Sequence, residues 1–311
     1  MNSAKATYRT FCQQQKDLPI FSQAWYLDTV CDGGTWDVVL VERGGKIVAT
    51  MPYFVKRKAI FDYITQPHLC KWLGPYIIPE FRRLKQEQKL LPELIAQLPK
   101  VAVFNQNFHY QLDNWMPFMW ADFQQTTYYT YVIDLSNLEK AYQNIDGNYR
   151  RSIQQLPESL KIVHDRSIQE FYEVSKMSLE RKSVAFPFSL AFLKKFDEVM
   201  QKQDQGKPFF VVDEKDQIHS ATYLVWDQDT AYTVMSSDDP KLRKSNSGLF
   251  LTWETMKFTK EVLGINQYDF VGSMLPEVQT VRRKFGARQV PYFNVRRTDS
   301  FLMRIIRIMK A

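Results

Sequence analysis

The sequence predicts an α+β fold, built twice. Three observations carry this. Segments with strand-like alternation are interleaved with segments of helical spacing along the whole chain. A hairpin pattern from Val38 to Val55 returns about 170 residues later, from Phe209 to Trp226. The length of 311 residues suits two domains of about 150 residues each.

Each element follows from a local pattern. Val38–Thr50 alternates apolar and polar residues on either side of Gly44-Gly45, as a hairpin with one buried face does, and runs on through Val55. The segment from Ile60 to Leu84, rich in aromatics and prolines, reads as a long loop. Glu139–Gln155 is a helix, Leu160–Val163 a strand, and Ser167–Arg181 and Ser189–Lys202 are helices. The second hairpin follows, then a strand from Thr230 to Ser236. Leu249, Phe250, Trp253, Met256 and Leu263 give the next helix its apolar face, and Gly264 ends it. Gln267–Val271 reads as a strand, Gly272–Pro276 as a break, Val281–Gly286 as a short basic helix and Pro291–Val295 as a closing strand. The domain expectation is 1–135 and 136–298, followed by a tail over 299–311. In that tail Arg304, Arg307 and Lys310 recur every three residues among large apolar ones, as in a short basic amphipathic helix that rests on an anionic membrane or packs back onto the fold.

Composition narrows the function classes. A 45% hydrophobic and 24% charged chain is that of a soluble globular protein rather than a disordered one. No stretch approaches the roughly 20 apolar residues that span a bilayer, and the first ten residues lack a signal peptide's apolar run, so the expected compartment is cytoplasmic. Cys12, Cys31 and Cys70 are odd in number and widely spaced, which points to reduced thiols. The four histidines show no metal-ligand spacing, so no metal is expected. A formal charge of +7 suits anionic partners or a solvated basic surface.

The order from Ser247 to Phe293, a helix, a strand ending in Asp-Phe-x-Gly and a basic turn closing on Phe285-Gly286, resembles the C-terminal half of the FemAB-like and BioF2-like acyltransferases of the GNAT superfamily. Phe21–Trp25 looks like that family's entry helix, and Tyr131–Leu135 followed by Asn148–Ile153 like its central strand and Arg-bearing helix. The resemblance covers most of residues 20 to 297 and implies tandem GNAT-like domains, each a mixed, mainly antiparallel sheet flanked by helices.

It also implies where chemistry sits. Arg243, Asn246 and Gly248 stand where GNAT enzymes bind the pyrophosphate of coenzyme A, although Asn replaces the pattern's first Gly; the alternative is an ordinary capped helix. Arg282 stands where the family carries a Lys, and Val281 where it carries a Phe. An arginine there can hold an anion or a developing oxyanion but cannot trade a proton. Arg283 belongs to the same basic run. Asp269 is the candidate general base for an ammonium acceptor, or else the cap of the turn after its strand. Tyr268 is a candidate proton donor or a packing residue. Arg150 and Arg151 match the family's Arg-bearing helix, to bind an acyl or nucleotide-sugar phosphate or to pair with nearby acids, and Arg181 and Lys182 stand where the family contacts its substrate.

The implied activity is transfer of an acyl or aminoacyl group from acyl-CoA, or from aminoacyl-tRNA as in the peptidoglycan-bridge relatives, to a small amine or a cell-envelope precursor. Peripheral contact with the inner face of the membrane would run through the C-terminal helix. The competing reading is a degenerate GNAT fold that binds an anionic ligand or a partner without chemistry.

Overall fold

A computed structural model of the protein describes residues 4–181 and 183–300. In chain order its elements are α1 (Ala4–Gln14), α2 (Ala24–Val30), β1 (Thr35–Arg43), β2 (Lys46–Lys58), β3 (Phe61–Thr65), β4 (Tyr76–Ile77), α3 (Leu84–Gln97), β5 (Val103–Asn107), α4 (Met116–Trp120), β6 (Gln124–Asp134), α5 (Leu138–Gln143), α6 (Gly147–Gln154), β7 (Lys161–Val163), α7 (Ile168–Glu180), α8 (Leu190–Lys202), β8 (Gly206–Val212), β9 (Ile218–Trp226), β10 (Thr230–Asp238), α9 (Ser247–Glu261), β11 (Gln267–Asp269), α10 (Pro276–Lys284) and β12 (Arg288–Thr298). The chain forms two compact units. Unit 1 comprises the residues up to Tyr128 and those from Pro291 onward, and unit 2 runs from Tyr129 to Val290.

In unit 1, β1 and β2 form the expected antiparallel hairpin. It turns at Gly44 and Gly45, whose φ of 57° and 75° suit a tight hairpin turn and would strain a residue with a Cβ. The segment from Ile60 to Leu84 is not the long loop its composition predicts. Its start, β3, pairs antiparallel with the overrun of β2 from Phe54 to Lys58, and β4 pairs with β2 at Ala49 and Thr50. Only Ile64 of β3 is buried, so no alternation is visible in the sequence; the strand exists because β2 is long enough to template it. Strand β5 runs parallel to β3 and antiparallel to the Asn294–Thr298 end of β12. Leu90, Leu91 and Leu94 of α3 are buried with Val39, Val41 and Phe104 in this unit's core.

Unit 2 repeats the order. In unit 1 two helices precede a hairpin, a third strand, a helix and a strand parallel to the third; α7, α8, β8, β9, β10, α9 and β11 follow the same sequence. The two hairpins read from the sequence therefore hold the same place in each unit. Apart from the β10–β11 pair the ladders of unit 2 are antiparallel, in the order β6-β11-β10-β9-β8-β7. Helix α7 starts at a capping box: Ser167 Oγ accepts from Glu170 N at 3.3 Å, and Glu170 Oε2 accepts from Ser167 N at 2.8 Å. The helix expected over Glu139–Gln155 is two helices. Asp146 accepts from Asn148 N at 3.0 Å and caps α6, which stops the first helix and starts the second. Leu224, Leu251, Met256, Tyr268 and Phe285 lie in one buried cluster that joins α9 and α10 to the sheet.

Candidate active site

Strands β10 and β11 pair over only three residues each, Thr230–Tyr232 with Gln267–Asp269. Beyond that β11 ends, whereas β10 continues to Asp238, and its register against β9 shifts between Thr233 and Met235. A bulge of this kind bends its strand and re-aims its side chains. Tyr268 sits at the point of separation and is fully buried. Thr233 Oγ1 donates to its phenol at 2.5 Å. Because Thr255 Oγ1 already donates to Thr252 O at 2.8 Å, the phenol donates to Thr255 Oγ1 across 2.9 Å. Thr252 Oγ1 in turn donates to Gly248 O at 2.8 Å. These hydroxyls tie the bulge to the first turns of α9. Burial pushes the Tyr268 pKa up, against the effect of the two threonine hydrogen bonds.

Asp269 is also fully buried. Its Oδ1 accepts from Thr130 Oγ1 at 2.5 Å and from Val271 N at 2.7 Å. Val271 has φ of 60°, a left-handed conformation that is costly for a β-branched side chain, and Gly272 follows at 66°. The carboxylate thus holds a strained turn in place. Of the two roles open to it in the sequence, capping the turn is the one its contacts display.

Asn246, at φ of 55°, brings the chain into α9 without a side-chain cap on the helix. The end of β10 approaches closely here. A Cβ built on Gly248 would lie 2.5 Å from Asp238 Oδ1, so glycine is what allows the contact. The same carboxylate faces Arg243, with Oδ2 3.6 Å from Nε. A negative charge at a helix N-terminus is favourable, and here the chain supplies that charge itself.

In α10, Arg282 is half-buried, its guanidinium carbon 5.8 Å from the Tyr131 ring centroid and 5.6 Å from that of Phe270. Phe285, at the end of α10, packs edge-on against Tyr149 of α6 at 5.5 Å. Gly286 follows at φ of 78°, and a Cβ there would lie 2.9 Å from Asn144. This fixes the basic helix against the loop that opens α6, where Asp146 N donates to Lys284 O at 2.7 Å.

Between these elements lies a cleft of about 410 Å³. Arg181, Arg243, Asn246 and Gly248 line it, together with Tyr149, Asp238, Val281 and hydroxyls from Ser220, Thr222 and Ser236. The structure thus brings together one predicted substrate residue and all three predicted donor-binding residues. Arg150, Arg151 and Arg283 are not among the lining residues. Arg282 is one position from a lining residue and turns onto the aromatic pair, while Tyr268 and Asp269 lie in the interior behind the cleft. Lys182 and residues 301–311, which carry the amphipathic tail, lie outside the described residues. Sequence reasoning missed Asp238 and the hydroxyls of β9 and β10, since a serine-rich strand end looks like any solvated edge. The signal for Asp238 was the Asp238-Asp239 pair just before the Arg243 loop.

Among the described residues no cluster of His, Cys, Asp and Glu is placed to hold a metal, and no helix is long and apolar enough to cross a membrane.

Residues 143–277 match the family model described as an acetyltransferase (GNAT) domain. No curated protein matches the chain. A solved structure of FemX is 10% identical and superposes with a TM-score of 0.71, covering 94% of this chain and 96% of that one. A tandem GNAT protein from the clavulanic acid biosynthesis pathway gives 0.57 at 10% identity, covering 88% and 85%. L-PGS from Bacillus licheniformis gives 0.56 at 11% identity, covering 99% and 97%. These likenesses establish the tandem GNAT fold over nearly the whole chain, and the stretch that matches the acetyltransferase (GNAT) domain model lies within unit 2.

Proposed function

We propose that unit 2 transfers an acyl or aminoacyl group from an activated donor, a thioester such as acyl-CoA or an aminoacyl ester of tRNA, to a primary amine on a small molecule or a cell-envelope precursor. The observation that carries this reading is the cleft at the start of α9, where Arg181, Arg243, Asn246 and Gly248 converge beside the separating ends of β10 and β11. In the transfer step the amine nitrogen attacks the donor carbonyl and the leaving sulfur or oxygen departs with a proton. The protein's part is to orient the two and to stabilise the oxyanion. Arg282 is the residue we assign to that charge: stacking on Tyr131 and Phe270 fixes its guanidinium, and arginine keeps its charge at any working pH. Asp269 and Tyr268 act as positioning residues, holding the turn and the bulge that shape the cleft. The basic apolar segment from Phe301 to Lys310 suits a tether near an anionic membrane, where an envelope precursor would be met.

The FemX and L-PGS likenesses support an envelope setting, and the match of the GNAT model supports transfer chemistry. The test is Arg282→Ala in an assay that follows the mass gained by an amine acceptor. Loss of an oxyanion donor lowers kcat by roughly 10²–10³-fold. Losing the two cation–π contacts costs about 1 kcal/mol of stability or less. Unchanged transfer by a well-folded Arg282→Ala protein would favour the non-catalytic reading.

A further inference from the structure

The start of α9 is not open to an incoming anion as it stands. Asp238 lies against Gly248 at the helix entrance and beside Arg243. A phosphate brought there would meet a carboxylate within a few ångströms, where like charges repel strongly. It would also meet an arginine that already has an acid partner. The cradle that the GNAT fold offers to a pyrophosphate is therefore obstructed at this entrance, and a thioester donor would have to place its phosphates elsewhere.

A second, independent observation shows that the cleft is still shaped for a polar group. Ser220, 1% exposed, lines it, and its Oγ has no hydrogen-bond partner among the described residues. A buried hydroxyl in that state costs free energy unless something supplies the missing bond. Hydroxyls of Thr222 and Ser236, 3.2 Å from one another, line the same cleft, so acceptor oxygens and one carboxylate share this space with the side chains of Arg181 and Arg243.

We infer that Asp238 is a specificity-determining residue that closes the α9 entrance to phosphate groups and keeps it for a primary ammonium. Oxygen acceptors around a carboxylate match the three donors of an –NH3+ group. The ammonium has two possible sources, the amine acceptor or the α-amino group of an aminoacyl donor. This inference rests on the transfer reading above, which supplies the reason for an amine to be there.

The experiment is a thermal-shift and calorimetric comparison of wild type with Asp238→Asn, which preserves size and removes the charge. Four probes are used: inorganic pyrophosphate, coenzyme A, L-alanine methyl ester with its α-ammonium beside an ester, and Nα-acetyl-L-lysine with an acceptor-like ε-ammonium. Wild type should respond to one of the ammonium probes, and the responding probe names the source. Asp238→Asn should lose that response and bind pyrophosphate and coenzyme A at least about tenfold more tightly than wild type. Equal responses of the two proteins to pyrophosphate and coenzyme A, or to both ammonium probes, would overturn the inference. The measurement needs no turnover, so a charge-dependent switch in a protein that transfers nothing would sink the transferase reading alone.

Discussion

Asp238 and Gly248 are in contact across the mouth of α9, with Oδ1 of the acid 2.5 Å from the place a Cβ on the glycine would take. The obstructing atom is the end of a flexible side chain, so Gly248→Ala can be accommodated by swinging the carboxylate away. Gly248 is the second residue of α9, so alanine's helix-interior advantage over glycine, about 1 kcal/mol, applies there only in part. The variant should thus melt within a few degrees of wild type, yet lose the wild-type ammonium response, as Asp238→Asn does, without gaining that variant's affinity for pyrophosphate, because the new methyl group fills the entrance. Calorimetry on the two variants side by side checks this; tight pyrophosphate binding by Gly248→Ala would show that the carboxylate is not what the glycine accommodates.

Asp269 holds the left-handed Val271 turn and the buried Thr130 hydroxyl. Asp269→Ala leaves a buried hydroxyl and a part-buried backbone N–H without their acceptor and should cost roughly 2–3 kcal/mol. Val271→Gly should go the other way, by about 1 kcal/mol, since glycine adopts a φ of 60° without strain. Urea unfolding measures both. A neutral Asp269→Ala would mean that the turn does not depend on the carboxylate.

In unit 1, burial, with a smaller contribution from Arg82, lowers the pKa of His109 to about 3. The neutral ring packs against Trp72 at 5.3 Å and accepts from Gln111 N through Nδ1 at 3.2 Å. The unfolded chain takes up a proton near pH 6.5 while the folded one does not, so the unfolded state binds more protons between about 3 and 6.5. This group's contribution is present above pH 6.5 and is lost as pH falls through that window, on the order of 2 kcal/mol by pH 4.5. His109→Asn, which keeps an acceptor for Gln111 N, should flatten the fall in melting temperature between pH 7 and 4.5. Parallel curves for the two proteins would contradict the assignment.

Much of unit 2 was legible because its elements bury one face at a regular spacing. The α7 and α8 spans and the β8–β9 hairpin need no partner to be recognised, and the Arg243–Gly248 segment is marked by its own residues. What stayed hidden depends on neighbours. Strand β3 buries only Ile64 and exists through the overrun of β2. The break at Asp146 looks helical until its cap is seen. Asp269 and Arg282 have the right chemistry, but only packing decides that the first is sealed inside and the second lies on two rings. Asp238 stands only five residues before Arg243, but nothing in its own residue type shows that it packs at a helix entrance.

The central claim, that the cleft at the start of α9 is where transfer happens, is tested most directly by filling it. Ser236 is exposed on β10 and lines the cleft, so Ser236→Trp occupies that space with little demand on the core. The decisive measurement is the mass gained by a nucleotide-linked envelope precursor when wild type or Ser236→Trp is incubated with charged aminoacyl-tRNA or with acyl-CoA. The account predicts one added acyl group with wild type and at least about a hundredfold slower transfer by a folded Ser236→Trp protein. Transfer at the wild-type rate with the cleft filled would contradict it.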